Sequence, residues 1–189
     1  MLGPPCVPYT AAATPARTAE PGDVVTVRVE VVRGDITTQQ VDAVLNAANG
    51  VMRGGGGVDG AIHRAGGPAV LRDCIERYPD GLGTGEAGWT GAGELPARYV
   101  IHVVGPDRHA GETDPGLLAS CYRNALMVAD ELDVSTLAAP LVSAGVYGWP
   151  LDDAARIAVG TVRSADGAVE LVRFVAFGAD AEAALHAAL

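Results

Sequence analysis

The chain contains no lysine. All 13 of its basic residues are arginine, set against 23 acidic residues, and the formal net charge is −10 over 189 residues. Without lysine there is neither Schiff-base chemistry nor a P-loop cation for terminal phosphates. The acidic excess is a poor match to nucleic acid, polyanionic surfaces and anionic membranes, which are bound through basic patches. It leaves open a small phosphate ligand held by backbone N–H groups, which carry no formal charge. Cysteine is scarce too: Cys6, Cys74 and Cys121 are odd in number and far apart, with no C-x-x-C pair. That excludes a disulfide framework and sets the expectation of a reducing, cytoplasmic compartment. No apolar run reaches membrane-spanning length, and no basic segment precedes an apolar one near Met1, so neither a membrane span nor a signal peptide is expected. His102 and His109 have no cysteine or acidic residue at ligand spacing, so no metal site and no cofactor are expected.

What is present is a chain of ordinary globular composition, 49% apolar and long enough for one domain with a core. Met1–Gly22 is rich in alanine, proline and threonine and is read as disordered; residues 23–189 are read as one domain. Val24–Val32 alternates as a strand, and Thr37 or Thr38 could cap a short helix toward Val41. Ala43–Leu45 reads as a buried strand, Val58–Ala65 and Pro68–Arg77 as helices, and Glu86–Trp89 as a short strand. Arg98–Val104 is a strand, Pro115–Leu132 a long amphipathic helix, Thr136–Val142 a strand, and Leu151–Arg163 a helix. Val169–Phe177 is a strand and Asp180–Leu189 a terminal helix. Cys121, flanked by Ala119 and Tyr122, is expected to pack within its helix, although a nucleophile is an alternative. Strands alternating with helices predict an α/β sandwich with a mixed, mainly parallel sheet. Such sheets bind ligands at the carboxyl ends of their strands. Asp35, Asn46 with Asn49 and the glycines, the 143–150 loop and Phe177 all fall at strand ends.

The stretch Asn46–Gly67, NAANGVMRGGGGVDGAIHRAGG, organises the rest. It begins where an apolar strand runs out, passes through four consecutive glycines, Gly54–Gly57, and enters a helix bearing Asp59 and His63 four residues apart. Glycine costs order in regular structure, about 0.5–1 kcal/mol relative to alanine. Four together suggest backbone approaching a ligand with no Cβ in the way. Free N–H groups of such a loop, and of the helix start behind it, form an anion cradle. The motif G-x-G-x-x-G also occurs at 55–60, but the strand ends too far upstream for a dinucleotide fingerprint, so a nicotinamide dehydrogenase is disfavoured.

GDIT at 34–37, NAAN at 46–49, GGGGVDGAIHRAGG at 54–67, LPARYVIHVVGP at 95–106 and SAGVYGWP at 143–150 together resemble a macrodomain of the MacroD-like hydrolase type. The order and spacing agree over Val24–Phe177. The resemblance implies a three-layer α/β/α sandwich, an ADP-ribose pocket, and removal of ADP-ribose from acidic protein side chains or from O-acetyl-ADP-ribose. By the same resemblance Asp35 accepts from the adenine amino group and Ile36 supplies a backbone contact. Asn49 holds the distal ribose, with Asn46 beside it. Gly55, Gly56, Gly57 and Val58 form the catalytic loop leading to Asp59, with His63 its companion. Ser143, Ala144, Gly145, Val146 and Tyr147 form the second phosphate loop, and Phe177 lies near the adenosine half. Ala144 departs from the serine or threonine usual there. A sister macrodomain type relies on a lysine, which this chain lacks.

Each residue also has a plainer reading. The helix dipole should hold Asp59 ionised near neutral pH, fit to orient or deprotonate a water; its plainer reading is an ordinary first-turn aspartate. His63 lies on the same face and could orient Asp59 or simply pack. Asn46 reads as a cap of the turn after its strand, and Asn49 as the better ligand contact. Asp35 could be a turn residue and Phe177 part of the core, whereas Tyr147, among small residues, reads as a lid. The expected activity is a monomeric, metal-independent ADP-ribosyl hydrolase acting on mono-ADP-ribosylated proteins. The alternatives are a non-catalytic ADP-ribose reader and a hydrolase of ADP-ribosylated nucleic acid.

Overall fold

Valine, leucine and alanine fill six short strands, and the way these strands line up places the candidate site. The computed structural model describes residues 27–189. The segment 1–22, the first residues of the predicted strand at Val24–Thr26, and Cys6 lie outside the described residues. The strands are β1 (Arg28–Arg33), β2 (Ala43–Ala48), β3 (Ala87–Gly91), β4 (Tyr99–Val104), β5 (Thr136–Ala139) and β6 (Leu171–Ala176). They form one sheet in the order β1-β6-β5-β2-β4-β3. Every neighbouring pair is parallel except β3 with β4. The expected mixed, mainly parallel sheet is the one found.

Five helices cover its two faces. Helices α1 (Gly57–Gly66) and α2 (Pro68–Arg77) pack on one side. Helices α3 (Pro115–Glu131), α4 (Leu151–Arg163) and α5 (Ala179–Ala188) pack on the other. Because strand side chains alternate, β2 sends Ala43 and Leu45 into the core under α3–α5 and Val44 into the core under α1. Asn46 follows on the α1 face. In α3 the buried positions are Leu118, Cys121, Tyr122, Ala125, Leu126 and Ala129, a 3.6-residue stripe. Asp114 caps that helix by accepting from the Gly116 N–H at 2.8 Å, with Pro115 in the first turn.

Several boundaries differ from the sequence expectation for identifiable reasons. Strand β2 continues through Ala48 rather than stopping at Leu45, because pairing with β4 runs in register to Ala48 opposite Val104. Strand β5 stops at Ala139, since Pro140 follows and has no N–H for the ladder. The short helix after β1 is a single 3-10 turn, Ile36–Thr38, and its cap is Asp35 rather than a threonine. Asp35 Oδ1 accepts from both the N–H and the hydroxyl of Thr37.

Tyr122 links the core to the loop after β5. Its buried hydroxyl donates to the Pro140 carbonyl at 3.1 Å and accepts from the Val142 N–H at 2.9 Å. Tyr122→Phe leaves both groups unpaired in an apolar setting, and should destabilise the fold by about 1–3 kcal/mol. Chemical denaturation of the two proteins measures it; an unchanged midpoint would show that the loop finds other partners.

Candidate functional site at the carboxyl ends of the strands

The sheet order places β1, β6, β5 and β2 side by side and parallel, so their carboxyl ends share one edge. Asp35 follows β1, Phe177 follows β6, the 140–149 loop follows β5 and Asn49 follows β2. Four loops distant in sequence therefore leave from one rim, the place where open α/β sheets bind ligands.

At its centre is Asp59, in the first turn of α1 and only 4% exposed. Its Oδ1 accepts from Asn46 Nδ2 at 2.8 Å and lies 3.4 Å from His63 Nε2; its Oδ2 accepts from Asn49 Nδ2 at 3.2 Å. Burial outweighs these partners and pushes the Asp59 carboxyl above its usual range, with the Asn46 hydrogen bond and then His63 pulling the other way. The helix dipole is thus not the deciding influence that first-turn placement suggested. Desolvation is, and it moves the group toward the range where a general base works well.

The glycine run makes this packing possible. A Cβ on Gly60 would sit 2.2 Å from the Gly55 carbonyl oxygen, so the loop can fold onto the first turn of α1 only with glycine there. A Cβ on Gly55 would lie 3.1 Å from Asn49 Nδ2 and 3.4 Å from Asp59 Oδ2. Gly56 and Gly57, by contrast, face open space, with nothing within 4 Å. Their exposed backbone N–H groups at the start of α1 suit an anion. Val58 packs against the core cluster under α1.

The 140–149 loop is pinned at both ends. Tyr122 holds its start, and Trp149 Nε1 donates to the Pro106 carbonyl at 3.1 Å. Arg108 N–H donates to the Tyr147 carbonyl at 3.0 Å. Ser143 has a left-handed backbone, φ 64°, unusual for a non-glycine residue and characteristic of functional loops. Its Oγ is close enough to Gly105 that a Cβ there would overlap it. Between the pinned ends, Gly145 has nothing within 4 Å of where a Cβ would stand. Ala144 packs against the main core, Val146 is exposed, and Tyr147 is half-buried. Burial is the first cause, and Asp107 the second, of an upward shift in the Tyr147 phenol.

Three buried side-chain atoms among the described residues have no hydrogen-bond partner: Asn46 Oδ1, Asn49 Oδ1 and Ser143 Oγ. All belong to this site. Asp35, at the rim, keeps Oδ2 outside its Thr37 cap, and the cap lowers its carboxyl pKa. Ile36 behind it is buried.

Some expectations change. Asn46 is not a turn cap and does not face the open cleft: it is inside β2, fully buried, directly opposite His102 in the β2–β4 register. It supports Asp59 from behind. Phe177 is not core; it is 95% exposed at the rim. Cys121 packs, as expected: it is buried, and burial pushes its thiol up to about 12. His102, dismissed on spacing, does have neighbours in space, for His63, Cys74 and His102 bring ligand atoms within 4.8 Å of one another. His102 Nε2, however, is already committed to Thr90 Oγ1 at 2.9 Å, with Cys74 Sγ at 3.8 Å. Sequence reasoning missed His102 and Thr90 as part of the site, and Gly60 as the loop's pivot. The available signal was one polar residue inside each of two apolar strands, AVLNAA and YVIHVV.

A glycine-lined, partly buried carboxylate site on the edge of a three-layer α/β/α sandwich defines the class. The Macro domain family model matches residues 45–158. A macro domain-containing protein of Streptomyces coelicolor is 54% identical over 165 residues, covering 85% of this chain and 98% of that protein. The solved macrodomain of Oceanobacillus iheyensis with ADP superposes with a TM-score of 0.80 at 39% identity, covering 88% of this chain and 92% of that one. The Trypanosoma brucei macrodomain in complex with ADP-ribose gives a TM-score of 0.79 at 40% identity, covering 89% of this chain and 72% of that one. The chain belongs to the macrodomain family.

The buried carboxylate predicts a pH signature. Between the ordinary carboxylate pKa and the raised folded value, the folded protein holds a proton at Asp59 that the unfolded chain has lost. The stability this proton linkage contributes is full below the unfolded pKa and is lost as pH rises through the folded one. Asp59→Asn cannot titrate. Its melting temperature relative to wild type should therefore climb from about pH 4 toward neutrality. A constant difference across that range would mean that Asp59 is not desolvated.

Proposed function

We propose that this macrodomain binds ADP-ribose and hydrolyses its ester to acidic side chains of mono-ADP-ribosylated proteins, and that O-acetyl-ADP-ribose is a second substrate. The observation that carries the reading is Asp59: a buried carboxylate set beside a glycine loop open to an anion. A carboxylate there opposes the diphosphate and costs desolvation, so it serves neither affinity nor packing. It makes sense as the group that orients or deprotonates water.

In this reading the Gly55–Val58 loop and the Ser143–Tyr147 loop take the diphosphate through backbone N–H groups. Asp35 and Ile36 meet the adenine end and Phe177 the adenosine half, while Tyr147 closes over the ligand. Asn49 Oδ1 accepts from a distal ribose hydroxyl, and Ser143 Oγ donates toward phosphate. Asp59 directs a water to the anomeric carbon. The new C–O bond forms as the bond to the acyl oxygen breaks, giving ADP-ribose and a free side-chain carboxylate. His63 orients Asp59. Ala144 supplies no hydroxyl, so its contribution is backbone alone. The reading invokes no metal or cofactor: the residues it uses act through hydrogen bonds and backbone N–H groups. The free, buried Cys74 and Cys121 suit a cytoplasmic protein.

The deciding experiment incubates the protein with glutamate-linked and serine-linked ADP-ribosylated substrates and follows free ADP-ribose. Release from the first alone is expected. Asp59→Ala should lower kcat by about 10²–10⁴-fold while leaving ADP-ribose affinity unchanged or slightly tighter. Binding without turnover in the wild type would make the protein a reader, and turnover in Asp59→Ala would remove Asp59 from the chemistry.

Gly145→Glu isolates the second loop. The position is open and its backbone is not left-handed, so the variant should fold with the wild-type melting temperature. A carboxylate against the diphosphate should weaken ADP-ribose binding by about a hundredfold or more. Wild-type affinity by calorimetry would show that this loop does not hold phosphate.

A further inference from the structure

Behind Asp59 the hydrogen bonds continue into the protein. Asn46 Nδ2 donates one hydrogen to Asp59 Oδ1 at 2.8 Å and lies 3.1 Å from His102 Nδ1. An amide nitrogen has no lone pair to offer, so a bond between these two nitrogens requires His102 Nδ1 to be the acceptor. The ring proton of a neutral His102 is then on Nε2, where Thr90 Oγ1 accepts it at 2.9 Å. Burial supports this state: His102 is fully buried, and desolvation pushes its pKa down to about 3. The amide is thus locked from two sides. Turned over, Asn46 would set its oxygen against the Asp59 carboxylate, so Asp59 fixes which end of the amide faces it, and the same orientation presents an N–H to His102 Nδ1. The lock also explains why Asn46 Oδ1 goes without a partner: the orientation that satisfies Asp59 and His102 leaves the oxygen facing neither.

We infer that His102 is a positioning residue: through its Nδ1 lone pair it holds the Asn46 amide turned toward Asp59, and so fixes the carboxylate that meets the substrate. Thr90 acts one step further back: its hydroxyl, 2.9 Å from Nε2, satisfies the far side of the ring and holds it in place. The register makes this possible, since Asn46 and His102 are directly opposed on neighbouring parallel strands and Thr90 reaches His102 from the antiparallel edge strand. Of the titratable groups packed around the pair, His63 from α1 acts on both Asp59 and His102 and Asp73 from α2 acts on His102, while Cys74 from α2 and Tyr147 from the loop after β5 in turn feel the Asp59 charge. Its catalytic consequence depends on Asp59 acting as proposed above; the hydrogen-bond lock does not, and the two can fail separately.

The test compares wild type with His102→Asn, which can return an acceptor oxygen near the Nδ1 position, with His102→Leu, which cannot, and with Thr90→Val, a near-isosteric change. In His102→Leu, kcat should fall by about tenfold to a hundredfold with ADP-ribose affinity within about twofold of wild type. The acid limb of its pH–rate profile should move to higher pH, because the Asn46 amide, no longer held from behind, donates less well to the charged form of Asp59. His102→Asn should restore both. Thr90→Val should shift the same limb in the same direction, by less. Equal loss in His102→Leu and His102→Asn, or no loss in either, would overturn the inference. If wild type shows no turnover, the hydrolase reading fails by itself. Carbon-13 NMR titration of the Asp59 carboxyl then decides: a raised pKa in His102→Leu but not in His102→Asn supports the lock, and no difference refutes it. Should His102→Leu fail to fold, nitrogen-15 NMR of the wild-type ring suffices. A neutral Nε2–H tautomer is expected, and an Nδ1–H ring or one protonated near neutral pH overturns the inference.

Discussion

Keeping a carboxylate out of water is the constraint from which the rest of this site follows. A buried charge must be hydrogen-bonded or it neutralises itself. Asp59 has two amide donors and a histidine edge, and each comes from a different place in the chain: Asn46 from inside β2, Asn49 from its end, His63 from the next turn of α1. Those three sources fix how β2, the glycine loop and α1 sit against one another. The strand must run on through Ala48 to bring Asn46 level with Asp59, and the helix must begin close enough to lay its first turn over the strand end.

Close approach sets the glycines, and they divide into two kinds. Gly55 and Gly60 are needed where the loop touches itself and its neighbours, since a Cβ would strike the Gly55 carbonyl or crowd Asn49 and Asp59. Gly56, Gly57 and Gly145 look outward into open space. The first kind is structural and the second presents bare backbone to whatever occupies the cleft. The same division holds across the rim: Gly105 makes room for the Ser143 side chain, while Gly145 two residues on faces open space. A composition count cannot separate these roles.

The fold was readable in the sequence because alternation and helical periodicity are local signals. RVEVV at 28–32, the apolar stripe of α3 and the proline at the start of α2 each specify their element without help from the rest of the chain. Asn49, Asp59, His63 and the glycine loop were readable because they are contiguous. What was not readable depends on strand register. Asn46 looked like a turn residue because only pairing with β4 shows that the strand includes it. His102 looked isolated because its partners, Asn46, Cys74 and Thr90, are far away in sequence and meet only across the sheet and α2. Phe177 was ambiguous for the opposite reason: an aromatic at the end of a buried strand can turn either way, and this one is exposed at the rim.

The absence of lysine and the acidic net charge take on a different meaning beside this geometry. Where an anion is held by cations, a carboxylate next to it would be neutralised by them and would lose basicity. Arg53, the arginine nearest the glycine run in sequence, gives its guanidinium to the carbonyls of Met52, Tyr78 and Pro79, and so braces the loop against the end of α2. Backbone N–H groups can hold a diphosphate without supplying a formal charge, and therefore without pulling down the pKa of Asp59 as a nearby cation would. A charge-neutral cradle and a carboxylate raised by burial are compatible in one small cleft, where a lysine-rich cradle and the same carboxylate would work against each other.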